Sequence, residues 1–303
     1  MSKSFYFFII SVLLIFVFFL GMGIGTYKWF PYYFVQKSLF TISNSLTNSS
    51  KYSSEFFDNL GRLVSSSSQS EIDCPEQTIS TGVLISFGQS NSANYAEHLF
   101  EEKDLQGVIN FFDGKCFKAK SPLLGAGGSA GEWISLTARN LIDNKTYDNV
   151  VVISTGIGHS SIDQWAEGNE LNNMLKKVLK NILKKYKITE LIWHQGESDL
   201  LYTHQDVYKF YFNSLENTIR KLGIDAPIFV SIASICGDED TWKYPNQISK
   251  AQKSLTNNEG IELGINTDEM IPINLRFDGC HFNKEGQFIA AEEMAKLISA
   301  YRR

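Results

Sequence analysis

Basic charge and closely spaced cysteines are both scarce in this 303-residue chain. The formal net charge is −5, and an acidic protein offers no extended basic surface to a polyanion, so no nucleic-acid partner is expected. The four cysteines lie far apart, without a CxxC pair or any other spacing typical of metal ligands. They allow one or two disulfides without requiring any, and neither a metal nor another cofactor is predicted.

Charge is also missing from residues 5–25, FYFFIISVLLIFVFFLGMGIG. A helix of about twenty residues spans about 30 Å, the thickness of the hydrocarbon core of a bilayer. A cleaved signal peptide and a buried core helix are the alternatives. However, a signal peptide usually has a shorter apolar stretch and a small-residue cleavage site. The length of the segment and the aromatic residues after it favour an N-terminal transmembrane helix, with residues 1–30 as a membrane anchor.

The character of the sequence changes twice after this segment. Residues 31–77 include a serine-rich, weakly periodic stretch that is typical of a stalk or linker. Over residues 78–303, short apolar runs such as GVLISF, VVVIST, ELIWH and IFVSIA alternate with patterns of helical spacing. Strands that are buried on both faces and separated by helices predict a parallel sheet with helices on each side. We therefore predict one α/β domain over residues 78–303.

Polar clusters follow three of the apolar runs, and a fourth cluster precedes the last predicted helix. They are FGQSNSAN at 87–94, GIGHSSIDQW at 156–165, HQGESD at 194–199 and FDGCHFN at 277–283. In open parallel sheets, ligands bind outside the carboxyl ends of the strands. We therefore expect the four clusters to meet at one edge of the sheet.

Ser90 in the first cluster is a candidate nucleophile. A serine on a sharp turn after a strand presents its hydroxyl, and its backbone N–H can stabilise an oxyanion. Alone, a GQSN segment is more often an ordinary turn. The candidate base is His281, because Asp278 lies three residues earlier and can orient one ring nitrogen while the other faces a serine. His194, at the end of an apolar run, is the competing base.

The third cluster allows a different chemistry. Glu197 and Asp199 could form the carboxylate pair of a glycoside hydrolase. Two acidic residues in one short turn, however, more often cap a helix or bind backbone amides. This alternative therefore stays secondary to acyl transfer by a serine.

The four clusters, in this order, resemble the SGNH (GDSL-type) hydrolase superfamily. The segments that carry the resemblance are GQSN after the first apolar run, the glycine turn before SSIDQW, WHQGESD, and DGCH near the end. Within the superfamily they are most similar to the sialate O-acetylesterase-like branch, which includes carbohydrate acetylesterases. The resemblance covers about residues 80–300. It implies a flavodoxin-like three-layer α/β/α sandwich with a central parallel sheet, and metal-free ester hydrolysis through an acyl-enzyme.

The resemblance also implies roles for individual residues. Ser90 would be the nucleophile, His281 the base and Asp278 its partner. The oxyanion hole would be formed by the backbone N–H groups of Ser90 and Gly158 and by the side-chain amide of Gln195. Most of the superfamily has an asparagine in place of this glutamine, and the alternative is that Gln195 only braces its turn.

Four further residues are expected to contact the substrate. They are Gln89, Asn91, His159 and Glu197. His159 stands where relatives tend to have a second glycine, so it either lines the pocket or lies on the surface. The glycine-rich segment 121–133, SPLLGAGGSAGEW, is similar to a loop at the rim of the site in this branch.

The predicted function is removal of O-acetyl groups from a sugar or polysaccharide. An O-acetyltransferase acting on a surface glycan would use the same three residues, and a non-catalytic glycan-binding membrane protein is a third possibility. The presence of serine, aspartate and histidine together argues against the third. We expect a single-pass membrane protein whose catalytic domain is extracytoplasmic, because the resemblance implies polymeric or exported substrates.

Overall fold

The computed structural model describes residues 13–15, 17–19, 55–237, 245–256 and 259–302. The six described residues before residue 55 are helical. The rest of the predicted membrane anchor lies outside the described residues, as does the predicted stalk up to residue 54. Within the described part of the chain, we find no helix that is both long enough and apolar enough to cross a membrane.

The segment from Ser54 to Arg303 forms one compact unit. The strands described in it are β1 (Glu55–Phe57), β2 (Leu63–Ser66), β3 (Glu71–Ile72), β4 (Thr81–Gly88), β5 (Val108–Phe112), β6 (Lys115–Lys118), β7 (Asn149–Ser154), β8 (Glu190–His194), β9 (Ile228–Ile232) and β10 (Ile261–Asn266). Its described α-helices are α1 (Ile134–Asp143), α2 (Glu170–Ile182), α3 (Gln205–Arg220), α4 (Gln247–Leu255), α5 (Thr267–Met270) and α6 (Lys284–Tyr301). Strands β1 to β3 lie within the segment that the sequence predicted to be a stalk.

Eight strands form the central sheet, in the order β10-β9-β8-β4-β7-β5-β6-β3. The six strands from β10 to β5 are parallel to their neighbours, whereas β6 and β3 are antiparallel additions at one edge. The predicted central parallel sheet is thus mostly parallel, with two antiparallel strands at one edge. Asp113 and Gly114, both with positive φ, connect β5 to β6. An Asp-Gly pair is a typical two-residue hairpin turn, so this reversal has a signal in the sequence.

Alternation along β4 explains why the apolar runs form buried strands. All eight residues of β4 are buried. Val83, Ile85 and Phe87 contribute to the core on one face of the sheet, and Leu84 contributes to the core on the other face. Helices α2, α3 and α4 supply residues to the first core, and α1 and α6 supply residues to the second. The predicted α/β architecture, with helices on each side of the sheet, is confirmed.

The carboxyl ends of β4, β7 and β8 meet at one edge of the sheet. Gly88 pairs with His194 at the end of β8, and Ser86 pairs with Ser154 at the end of β7. Gly88 has a φ of +130°, and a Cβ placed there would lie 2.1 Å from the carbonyl oxygen of His194. Only glycine allows the chain to turn here. The turn that follows carries Ser90.

Two disulfides are present, where the sequence left the pairing open. Cys74 is bonded to Cys116, which ties the chain before β4 to β6 at the edge of the sheet. Cys236 is bonded to Cys280, which ties the segment after β9 to the loop before α6. The described residues contain no free cysteine.

Candidate active site

Ser90 begins a single 3-10 turn, Ser90–Ser92, directly after β4. The turn is closed by hydrogen bonds from the Ser92 N–H and hydroxyl to the Gln89 carbonyl, at 2.9 and 2.7 Å. The Ser86 hydroxyl donates to the Ser92 carbonyl at 3.2 Å. The strand therefore ends in a fixed turn with a serine at its tip, as the sequence predicted.

The second element of the site is the loop that carries Asp278 and His281. Asp278 Oδ2 lies 2.6 Å from His281 Nδ1, and Asp278 Oδ1 accepts hydrogen bonds from the N–H groups of His281 and Cys280. Partial burial raises the pKa of Asp278, but these hydrogen bonds outweigh it and leave the pKa below its ordinary value. With Nδ1 held by the carboxylate, Nε2 is the His281 nitrogen that remains to accept a proton.

Asn91 connects these two elements. Its side-chain Nδ2 donates to the backbone carbonyl of Cys280 at 3.2 Å and to Glu197 Oε1 at 2.9 Å. Since Asn91 follows Ser90 and Cys280 precedes His281, this contact brings the predicted nucleophile and base into one site. Asn91 was predicted to contact substrate, but its buried amide serves to join the two loops.

The Cys280 carbonyl is held from a second side as well. Arg276, a buried side chain, donates from Nη1 to this carbonyl at 2.8 Å. Its remaining guanidinium hydrogen bonds go to the backbone carbonyls of Thr267, Ile271 and Ile235. Together with the disulfide to Cys236, these contacts fix the backbone between Asp278 and His281.

Gly158 lies in the turn after β7, which packs on the nucleophile turn. The Ile157 N–H donates to the Gly88 carbonyl at 2.9 Å, and a Cβ at Gly156 would lie 2.4 Å from the Ser92 hydroxyl. The two turns are therefore in direct contact, as an oxyanion hole shared between them requires.

Gln195 is engaged inside the protein. Its fully buried amide Nε2 donates to the Ser160 carbonyl at 3.1 Å and to the Asp199 carboxylate, and lies 3.3 Å from Gln89 Oε1. An amide has two N–H groups, so both already have acceptors. These are the contacts of the turn-bracing alternative, and the role of Gln195 as an oxyanion donor stays a prediction.

Gln89 also braces the site. Its Oε1 accepts hydrogen bonds from the N–H groups of Gly196 and Ser198, at 3.2 and 3.1 Å. The nucleophile turn is thereby attached to the turn after β8. Gln89 is as buried as Ser90, at 3% exposure, and its contact with substrate stays a prediction.

The side chains of Glu197 and His194 are buried beneath the same turn. Burial raises the pKa of Glu197, and burial together with the charge of Arg276 lowers the pKa of His194 to about 3. His194 packs against the rings of Trp133 and Phe282. A histidine in this environment stays neutral and packs as a structural residue. This argues against His194 as the base.

The alternative carboxylate pair does not face an open site. Asp199, also buried, accepts hydrogen bonds from the Ile162 N–H at 2.9 Å and the Thr203 hydroxyl at 2.6 Å. Glu197 is engaged with Asn91. Both acids therefore stabilise turns, as short acidic turns commonly do.

His159 is exposed and has a φ of +60°. This left-handed conformation favours glycine, which agrees with the glycine found there in the relatives implied by the sequence. The exposed position matches the surface alternative, and any contact with substrate stays a prediction.

Tyr95 is a residue of this site that the sequence did not single out. Its ring stacks on the ring of His281, with centroids 5.5 Å apart and planes inclined by 21°. At its other end, the Tyr95 hydroxyl lies so close to Gly158 that a Cβ there would be 2.6 Å from it. No signal beyond closeness to Ser90 in the sequence could have identified it.

Comparison with known proteins supports the predicted family and fold. The sequence profile of the family described as "Carbohydrate esterase, sialic acid-specific acetylesterase" matches residues 80–300, which confirms the predicted resemblance. A protein from Arabidopsis thaliana has a similar structure, with 18% identity, a TM-score of 0.61, and coverage of 74% of this chain and 99% of that one. NanS is also similar, with 17% identity, a TM-score of 0.53, and coverage of 76% and 99%. At these identities the likeness establishes the fold. No functionally curated protein matches the chain.

Proposed function

The chain belongs to the sialic acid-specific acetylesterase family of carbohydrate esterases, and we propose that it removes O-acetyl groups from a sugar or polysaccharide through an acyl-enzyme on Ser90. The observation that carries this proposal is the Asn91 amide, which ties the nucleophile turn to the loop of Asp278 and His281. A strand-end serine and a carboxylate-bound histidine in one site are the groups that acyl transfer requires.

In the first step, Ser90 Oγ attacks the acetyl carbonyl carbon while His281 Nε2 accepts the hydroxyl proton. Asp278, which stays ionised, orients the ring and stabilises the imidazolium that forms. His281 then donates this proton to the sugar oxygen as the ester bond breaks. The products are the free sugar hydroxyl and an acetyl group on Ser90.

In the second step, water attacks the acetyl-enzyme and His281 accepts a proton from it. Acetate leaves as Ser90 recovers its proton. In both steps the negative oxygen is stabilised by the N–H groups of Ser90 and Gly158. Gln195 would become a third donor only if its amide left one of its present acceptors, the Ser160 carbonyl or the Asp199 carboxylate.

We further propose that residues 5–25 anchor the protein in a membrane and that the catalytic domain is extracytoplasmic. The uncharged length of the segment supports insertion. The two disulfides support an oxidising compartment, because disulfides rarely persist in the cytosol. Protease added to intact cells should degrade the domain, whereas protection until lysis would refute this orientation.

The catalytic proposal is tested with the full chain in detergent. Ser90→Ala should lower the hydrolysis of 4-nitrophenyl acetate and the release of acetate from acetylated xylan or O-acetylated mucin by several orders of magnitude. The matched control is Ser67→Ala, an exposed serine, which should leave turnover unchanged. Wild-type turnover by Ser90→Ala would refute the assignment. Faster acetate transfer to an added glycan than to water would instead identify an acetyltransferase.

A further inference from the structure

Tyr95 contacts both halves of the proposed catalytic apparatus. Its ring is stacked on the imidazole of His281, and its hydroxyl end abuts Gly158. The inference drawn from this arrangement rests on the proposed function, because it concerns the same nucleophile and base.

Without Tyr95, the strongest restraint on the imidazole is one hydrogen bond. The hydrogen bond from His281 Nδ1 to Asp278 fixes one ring atom at 2.6 Å, but a single hydrogen bond leaves the ring free to tilt about that contact. Asp278 is itself partly exposed, with 40% of its side-chain surface accessible. The base therefore needs a second contact to keep Nε2 in one direction.

Tyr95 supplies that contact against the plane of the ring. The two rings are inclined by only 21°, so a tilt of the imidazole in that direction would collide with the tyrosine. Phe277 also lies near His281, at 6.1 Å and 31°, but half of its surface is exposed. Phe277 is therefore the weaker restraint of the two.

The backbone around Tyr95 holds its ring in place. The Asn94 N–H donates to the Gly127 carbonyl, and Ala96 exchanges two backbone hydrogen bonds with Gly131. The ring also fills the space at Gly128, where a Cβ would lie 2.9 Å from Tyr95 Cε2. Both neighbours of Tyr95 are thus fixed to the glycine-rich loop.

The contact with Gly158 means that Tyr95 also affects the position of the turn after β7. Any side chain at position 158 would collide with the end of the Tyr95 ring, because a Cβ there would lie 2.6 Å from Oη and 2.8 Å from Cζ. Since the same ring touches His281 at its face, the tyrosine sets the spacing between the base and the oxyanion turn. Burial raises the pKa of Tyr95, so the phenol stays neutral beside both.

We infer that Tyr95 is a positioning residue of the esterase, which holds the plane of the His281 ring and its distance from the Gly158 turn. The imidazolium formed in each step faces an aromatic ring, and such a ring attracts a cation. The contribution of Tyr95 is therefore greatest in the transition state, where the charge develops, and it should appear in kcat rather than in KM.

Two substitutions distinguish the contribution of the Tyr95 ring to kcat from that of its hydroxyl. Tyr95→Leu removes the aromatic face and should lower kcat for 4-nitrophenyl acetate about tenfold to one-hundredfold, with KM changed less than threefold. Tyr95→Phe keeps the face and should retain kcat within about threefold of wild type. Tyr186→Leu is the control for general loss of packing, because Tyr186 is a buried tyrosine in the core beside Phe111. It should lower the Tm while kcat is preserved.

The results distinguish this inference from the proposed function. If Tyr95→Leu is folded and keeps wild-type kcat while His281→Ala is inactive, the positioning role is wrong and the triad stands. A Tyr95→Phe variant as impaired as Tyr95→Leu would also overturn the role, because the hydroxyl would then be the active group. If His281→Ala is active, the proposed function fails, and the inference fails with it.

Discussion

Two histidine–carboxylate pairs occur in this protein, and they have the same separation in sequence. His281 and Asp278 are three residues apart, with Nδ1 and Oδ2 at 2.6 Å and side chains that are 15% and 40% exposed. His194 and Glu197 are also three residues apart, with Nδ1 and Oε1 at 3.7 Å and side chains that are 0% and 1% exposed. Spacing alone therefore does not separate a reactive pair from a structural one.

Burial accounts for the difference between the two pairs. In the buried pair, the charged form of each partner is disfavoured, so the pKa of His194 falls to about 3 and that of Glu197 rises. In the exposed pair, hydrogen bonds keep Asp278 charged. Only the exposed pair combines an ionised orienting group with a histidine at the surface, which is what a general base requires.

The largest expected effect comes from exchanging the two histidines for alanine. His281→Ala should lower kcat by about four to six orders of magnitude, as expected for a triad member, with little change in Tm. His194→Ala should instead cost about 2–5 kcal/mol of unfolding free energy, because it leaves a cavity, while the folded fraction keeps most of its kcat. The measurements are kcat for 4-nitrophenyl acetate and the thermal unfolding of both variants. A folded, inactive His194→Ala beside an active His281→Ala would reverse the assignment of the base.

The carboxylates should differ in the same way, with a smaller effect. Asp278→Asn is expected to lower kcat by about three to four orders of magnitude, because an amide at this position favours the wrong tautomer of the imidazole. Glu197→Gln keeps an oxygen to accept the Asn91 hydrogen bond, so its kcat should stay within a few-fold of wild type. Equal losses in the two variants would show that Glu197 takes part in the chemistry.

Gln195 directly follows His194 in the sequence, and its substitution should have a modest effect on kcat. Both of its N–H groups already have acceptors in the protein, so we expect Gln195→Ala and Gln195→Glu to keep kcat within a few-fold and to lower the Tm. Loss of an oxyanion donor costs about 100- to 1000-fold in kcat. A fall of that size in both variants, with KM little changed, would establish the donor role instead.

The smallest effect concerns the pH dependence of stability. Because burial raises the pKa of Glu197 in the folded protein, the folded state holds its proton at pH values where the unfolded chain has lost it. The contribution of Glu197 to the unfolding free energy should therefore decline as pH rises from the ordinary glutamate pKa to the raised one, by about 1.4 kcal/mol for each pH unit between the two values. In denaturant titrations from pH 4 to pH 8, Glu197→Gln should lose less stability than wild type. Parallel curves would show that Glu197 is not protonated in the fold.

Strand positions and the meeting of the polar clusters were predictable because they follow from simple regularities. Runs such as GVLISF and ELIWH form β4 and β8, and their carboxyl ends carry Ser90 and Gln195 to the same edge of the sheet. The Asp278–His281 pair was predictable because both members lie in one short loop. These features depend only on local sequence and on the direction of parallel strands.

Side-chain direction at that edge was not predictable. Gln89, Asn91 and Glu197 were expected to contact substrate, which stays a prediction; in the structure all three are buried and connect neighbouring turns. The strand pattern indicates that a residue reaches the edge of the sheet, but its orientation depends on contacts with distant segments. Tyr95 was missed for the same reason, because ring stacking leaves no periodic signal in the sequence.

The serine-rich stretch shows a further limit of prediction from the sequence. Strands β2 and β3 belong to a segment whose composition predicts a linker. Leu63 nevertheless exchanges backbone hydrogen bonds with Gly125 and Ala126 of the glycine-rich loop, and β3 pairs with β6. Backbone pairing with a distant partner orders a segment that has little apolar character of its own.

The bond between Cys236 and Cys280 makes catalysis depend on the maturation of the protein. Cys280 stands between Asp278 and His281, so the covalent link is part of the short loop that carries the acid and the base. Under reducing conditions the chain lacks this link. The hydrolase is therefore expected to reach full activity only after this disulfide has formed.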